Sequence, residues 1–295
     1  MQTTNPAAAG SIPLAQPAPL QSKREQSNLR FADVLRSCID RVSSLGELLT
    51  ATTLVKLLNT YFAEMTTLIH ARNGIIDKLV GDGLMAFWTA PFSRGESHAT
   101  DACLAALEQQ QAVKKLRERL SDVLGLRRDL PEFSVRMGLA TGDLVVGTIG
   151  APDARSFTVI GDTVNLASRL EGANNAYETR ILVDEGTFQL AQNDIEGREI
   201  DFLTVVGKAE PVRVYEIMAP AGCLSAAENE LRGLFAEGLA AYRARDWDRS
   251  EQRLAQCLAV VATDGPAAVL RRRIAFLRDQ PLPADWDGVW HLVEK

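Results

Sequence analysis

The sequence predicts an α+β domain on a largely antiparallel sheet, followed by a small helical extension. Three observations predict it. Between about residues 28 and 219, helix-period and strand-period segments alternate, and the strands recur in pairs that turn back on each other after helical segments. Beyond residue 225 the strand pattern stops and the chain reads as helices. A hydrophobic content of 46% with 24% charged residues belongs to an ordinary soluble globular chain.

The elements follow in order. Residues 1–27 are rich in Ala, Pro, Gln, Ser and Thr and read as a disordered leader or linker. LRFADV reads as the first strand. In LVKLLNTYFAEMTTLIHARNG the apolar residues Leu54, Leu57, Leu58, Tyr61, Phe62, Met65 and Leu68 line one helical face, and Gly74 ends it. IIDKLVGDGLMAFW reads as two strands around a turn at Gly81-Asp82-Gly83, and a long helix spans roughly His98 to Leu120. FSVRMGLATGDLVVGTIG reads as a strand pair turning at Thr141-Gly142-Asp143. ARSFTVIGDTVNLASRLEGANN gives strand, turn and helix, TRILVDEGTFQLA a strand and a short helix, and REIDFLTVVGKAEPVRVYEIM a hairpin around Gly207-Lys208. In the extension, FAEGLAAYRARDWDRSEQRLAQCLAVVATDGPAAVL resembles a tetratricopeptide unit, too short an array for a solenoid. It is expected to cap the preceding domain or a partner chain, with Trp286 and Trp290 as anchors of the tail.

Composition narrows the function. A net charge of −6 without a long basic run argues against a nucleic-acid binder. Cys38, Cys103, Cys223 and Cys257 show no CxxC spacing, and the 3 histidines form no zinc pattern, which implies a reduced, cytoplasmic setting without structural metal. There is no run of spanning length and no basic-then-apolar leader, so no membrane segment and no secretory signal are expected.

The chemistry concentrates in FTVIGDTVNLASRLEG, residues 157–172. Asn165 and Arg169 lie four apart on one helix face, where an amide can orient a sugar or phosphate oxygen and a guanidinium can stabilise charge that grows in a transition state. With KLVGDGLMAF, FADV and GKAEPVRVYEI, this segment resembles the signature of class III nucleotide cyclases, the adenylate and guanylate cyclase family, over nearly all of 28–219. The resemblance implies a ferredoxin-like α+β cyclase domain that uses two Mg²⁺ or Mn²⁺ ions per site, held by Asp33 and Asp82. It implies Asn165 and Arg169 as catalytic residues and Lys78, Thr158 and Lys208 as substrate-binding residues. Lys78 and Thr158 would read adenine, and Lys208 would grip the terminal phosphates; guanylate cyclases typically show Glu and Cys at the two base-reading places. The expected reaction is ATP to 3′,5′-cyclic AMP and pyrophosphate, at sites shared across a homodimer in which the aspartates come from one chain and the other residues from its partner.

One position departs from the pattern. The family's Gly-Phe-Thr after the first aspartate is missing, and the usual spacing back from Asp82 lands on Cys38, with Asp40 close by. Either residues 34–43 form a lengthened loop or a displaced first helix turn and Asp33 is the ligand, which the FADV context favours, or Cys38 holds the metal position. In the second case the domain reads instead as a degenerate cyclase that dimerises or binds nucleotide without turnover, because a thiol is a poor ligand for Mg²⁺.

Overall fold

The computed structural model describes residues 27–40, 42–90, 97–124, 133–151, 153–204, 210–283 and 286–291. Of the expected leader at 1–27, residues 1–26 lie outside the described residues, as does Lys208, while Ser27 already opens the first strand.

The elements run β1 (Ser27–Ile39), α1 (Val42–Leu48), α2 (Ala51–Ala71), β2 (Ile75–Val80), β3 (Gly83–Trp88), α3 (His98–Glu118), α4 (Leu120–Leu124), β4 (Val135–Ala151), β5 (Ala154–Ile160), α5 (Asp162–Tyr177), β6 (Ile181–Asp184), α6 (Glu185–Ala191), β7 (Ile195–Thr204), β8 (Val212–Pro220), α7 (Ala226–Arg243), α8 (Trp247–Val260), α9 (Gly265–Leu277) and β9 (Trp290–His291). Among the described residues the strands join in one sheet of order β2-β3-β1-β4-β6-β8-β7-β9, with β5 paired to β4. The sheet is mixed: β4–β6 and β7–β9 are parallel and the remaining pairs antiparallel.

Two expectations for local structure are corrected. The segment 135–151 is one continuous strand and not a hairpin, because it serves several neighbours: β1 pairs along most of it, β5 along its second half and β6 along its first. Gly142 sits inside this strand where the Thr163 side chain closes on it. Residues 34–39 are strand and not a lengthened loop, since β1 keeps its ladder with β3 and β4 through Cys38 and Ile39.

Each sheet face carries its own core. Leu35, Ile39, Leu84, Ala86 and Trp88 face α2 and α3, meeting Leu57, Tyr61, Met65, Ile69, Cys103 and Leu116. Alternation along the same strands sends Val34, Met85 and Phe87 to the other face, with Leu166, Leu170 and Tyr177 of α5. Local signals agree with this frame. Thr50 caps α2 by accepting from Thr53 N at 3.3 Å. Ser225 and Glu228 form a reciprocal capping box at the start of α7.

The helices α7, α8 and α9 share the α5-side core: Leu231, Phe235, Leu239, Leu270 and Ile274 pack with Ile200, Leu203 and Val214 of β7 and β8. Buried ion pairs fasten the join. Arg198 on β7 meets Glu216 and Asp264 at 2.8 and 2.5 Å. Arg273 on α9 pairs with Asp201, which also accepts from Tyr177 Oη at 2.6 Å. The guanidinium of Arg273 lies 4.1 Å from the centroid of the Trp290 ring, and Trp286 packs edge-on to Tyr242 and Trp247. No helix among the described residues is long and apolar enough to cross a membrane.

Candidate functional site

Asp82 sits in the two-residue turn between β2 and β3, after Gly81 at φ +61°, a left-handed position that glycine takes without strain. Beside it stands Cys38, paired across the ladder with Gly83, and its Sγ–H donates to Asp82 Oδ2 at 3.2 Å. Burial, then the bond to Asp82 and the charge of Glu171, push the Cys38 thiol up to about 12, so it is protonated at neutral pH. Asp40 accepts from Arg136 Nη1 at 2.7 Å and lies 3.5 Å from Arg180. Glu171 of α5 accepts from Arg136 Nε at 3.2 Å.

Asp33 is elsewhere, which corrects its assignment as Asp82's partner. It pairs with Trp88 while Cys38 pairs with Gly83, so five residues, roughly 16 Å of strand, separate it from the Asp82 turn. Five is an odd step, so Asp33 also projects from the opposite face of the sheet. There it is fully buried and bonded to His98 Nδ1 and Thr141 Oγ1. Burial raises the Asp33 pKa against the lowering effect of His98 and Thr141, and the bond to Asp33 raises that of His98. The network continues from Thr141 to Thr187 at 2.8 Å and on to Asp184. These groups brace β1, β4 and β6 against α3 and α6.

Two divalent ions need several carboxylate oxygens at short range. This corner offers Asp82 with a neutral thiol beside it, while Asp40 and Glu171 are engaged by arginine. The residues present do not fit the ion pair that the resemblance implies.

The other half of the site is better formed. Lys78 and Thr158, far apart in sequence, meet at one carboxylate. Asp77 occupies a bulge in β2 between Ile76 and Lys78, which turns its side chain toward β5. Its Oδ2 accepts from Thr158 Oγ1 at 3.0 Å and lies 3.4 Å from Lys78 Nζ, while Oδ1 accepts from Val159 N at 3.3 Å. Asp77 is 1% exposed and Lys78 40%. Around this junction Leu79, Val80, Phe157 and Ile160 leave large apolar side chains exposed. The sequence reading missed Asp77; the signal was an acidic residue directly before Lys78 in a strand.

On α5, Asn165 is exposed and Arg169 lies one turn further on. Arg169 Nη1 is 3.9 Å from Asp162 Oδ1, and this buried nitrogen makes no hydrogen bond among the described residues. Glu171, two residues later, lies about 200° around the helix and faces Arg136, Cys38 and Asp82. Arg169 therefore points away from the Asp82 corner of its own chain.

The family described as adenylate and guanylate cyclase catalytic domain matches residues 25–219. Adenylate cyclase 1 of Rhizobium meliloti is 34% identical over 166 residues, 56% of this chain and 24% of that protein. The adenylate cyclase of Anabaena cylindrica is 36% identical over 197 residues, 65% of this chain and 38% of that one. The chain thus spans well under half the length of these curated relatives. Among solved structures, the adenylyl cyclase CyaB from P. aeruginosa superposes with a TM-score of 0.61 at 31% identity, covering 68% of this chain and 100% of that one. The guanylyl cyclase Cya2 gives 0.57 at 26% identity, covering 68% and 96%.

Proposed function

Because the chain belongs to the family of adenylate and guanylate cyclase catalytic domains, we propose that it takes part in converting ATP to 3′,5′-cyclic AMP and pyrophosphate at a site shared between two such domains. The observation that carries the reading is the convergence of Lys78 and Thr158 on Asp77. An ammonium and a hydroxyl fixed side by side suit the N1 and N6 edge of adenine.

Arg169 is the group for charge that develops as the ribose 3′-oxygen displaces pyrophosphate from the α-phosphorus. Its buried Nη1 makes no hydrogen bond among the described residues, with Asp162 Oδ1 3.9 Å away, so an anionic ligand gains a charge-assisted hydrogen bond there. Asn165, on the same face, orients the ribose, and Lys208 is proposed as the grip on the terminal phosphates. Arg169 and Asp82 face apart, so a site drawing on both combines two chains, and a homodimer would hold two such sites. No part is assigned to a bound metal, because Cys38 and Asp82 do not fit the Mg²⁺ or Mn²⁺ pair.

The Cys38–Asp82 bond favours a second reading, a degenerate cyclase domain that binds nucleotide or dimerises without turnover. Cyclic AMP formation from ATP, with Mg²⁺ or Mn²⁺, separates the two. Activity in the wild-type chain that Arg169→Ala removes supports the first reading. A silent wild type beside an active Cys38→Asp variant supports the second. If both proteins are folded and silent, the cyclase reading fails.

A further inference from the structure

We infer that Asp77 is a positioning residue that makes Thr158 an obligate hydrogen-bond acceptor and thereby sets adenine over guanine. The inference rests on the adenine reading of Lys78 and Thr158 and assigns its physical origin to a residue that touches neither base.

A threonine hydroxyl has one proton and two acceptor lone pairs, and free to rotate it serves a donor or an acceptor equally. Alone, Thr158 would not distinguish the N6 amine of adenine, a donor, from O6 of guanine, an acceptor. The structure removes that freedom. Asp77 is enclosed by donors: the Thr158 hydroxyl at 3.0 Å, the Val159 N–H at 3.3 Å and the Lys78 ammonium at 3.4 Å. A carboxylate in such surroundings accepts only, so the Thr158 proton is committed inward. The other inward acceptor, Val159 O at 3.5 Å, is farther away and would also draw the proton from the ligand side. The lone pairs left over accept from N6 of adenine and repel O6 of guanine. Lys78, held at the same carboxylate, offers donors that suit N1 of adenine and oppose the N1–H of guanine.

The β2 bulge makes this possible. In regular alternation Asp77 would lie on the face opposite Ile76 and Lys78; as the extra residue between them it is turned toward β5 instead. The bond from Val159 N to Oδ1 then fixes which oxygen faces Thr158. This suggests a clean substitution. In Asp77→Asn, Oδ1 stays opposite the Val159 N–H and the amide nitrogen replaces Oδ2. That nitrogen donates to Thr158 and releases its proton outward.

The test is the ratio of GTP to ATP dissociation constants, measured by titration calorimetry on the full chain with each nucleotide. Wild type is expected to favour ATP. Asp77→Asn is expected to shrink that preference by at least about fivefold, the lower end for one mispaired hydrogen bond, largely by gaining GTP affinity. A general loss of structure would weaken both nucleotides and leave the ratio alone. An unchanged ratio in folded Asp77→Asn overturns the inference. Should that variant fail to fold, Thr158→Val decides. Loss of a fixed acceptor weakens ATP and spares GTP, whereas loss of a freely rotating hydroxyl weakens both equally and overturns the proposal. A wild type with no preference between the nucleotides refutes the adenine reading itself, an outcome distinct from failure of the Asp77 role.

Discussion

At Gly138 in β4 the sheet and α5 approach each other closely. A Cβ there would stand 2.1 Å from Ala167 O, 2.3 Å from Glu171 N and 2.9 Å from Leu170 C. All three atoms are α5 backbone, so no side chain can rotate away. Ordinary contact begins at 3.4 Å, which leaves a shortfall of 3.4 − 2.1 = 1.3 Å. Gly138→Ala must therefore lift α5 by about 1 Å. A gap of that size forfeits roughly a quarter to a half of the dispersion energy beneath Leu166, Leu170 and Tyr177. The expected cost is about 3 kcal/mol, the top of the range for overpacking. At about 2.1 cal/mol/K per residue, a chain of 295 residues loses roughly 5 °C in Tm. Gly172→Ala is the control on the same helix. A Cβ there meets nothing within 4 Å, so the usual helix preference should stabilise the protein by about 0.5–1 kcal/mol. Thermal unfolding followed by circular dichroism reads both. Should Gly138→Ala melt within about 1 °C of wild type, or the two variants shift the same way, the close packing of α5 on β4 is wrong. The lift also displaces Arg169, and a misplacement of about 1 Å can cost roughly 10²-fold in rate.

Further outcomes are expected. Arg169→Ala, in whichever of wild type and Cys38→Asp turns over, should lower kcat by about 10²–10³-fold with an unchanged far-ultraviolet spectrum; near-normal turnover refutes its role. Arg273→Met leaves Asp201 buried without its cation and should cost about 3–5 kcal/mol in urea unfolding, much of it recovered by adding Asp201→Asn; a loss below about 1 kcal/mol refutes the clamp. His98 and Asp33 both have raised pKa values in the fold, so the folded state holds more protons than the unfolded one, and stability falls as pH rises. The His98 contribution is complete below its unfolded pKa of about 6.5 and disappears as pH climbs through the raised folded value. His98→Gln should flatten the fall of Tm as pH rises above the unfolded histidine value of about 6.5, and an unchanged slope refutes the coupling.

Periodicity and punctuation made much of this chain legible. The amphipathic stripe of α2, the Gly81–Gly83 turn and the strand–turn–helix around Asn165 stand as the sequence implied. Thr141-Gly142-Asp143 misled because the composition of a turn cannot report that β1, β5 and β6 all demand one unbroken strand. Asp33 misled for a related reason. FADV has the right local context, but which residue reaches Asp82 depends on the register of β1 against β3, a pairing between segments about fifty residues apart. The count back from Asp82 held that information and pointed to Cys38. Lys78 and Thr158 were readable as a pair. Asp77 was not, since an aspartate in a short strand reads as solvent-facing until the bulge that turns it inward is seen.

The match to the cyclase family ends at residue 219, yet the sheet is not finished there. Trp290 and His291 add a strand alongside Leu203 and Thr204, and α7 to α9 cover Ile200, Leu203 and Val214. During synthesis these surfaces must wait. At about 5–20 residues per second, the seventy or so residues after β8 take about 4–15 s to emerge. Throughout that interval the nascent chain offers an unpaired strand edge beside bare apolar side chains, the combination most prone to pair with a neighbour. A version cut at residue 219 would keep that edge and those apolar side chains exposed permanently.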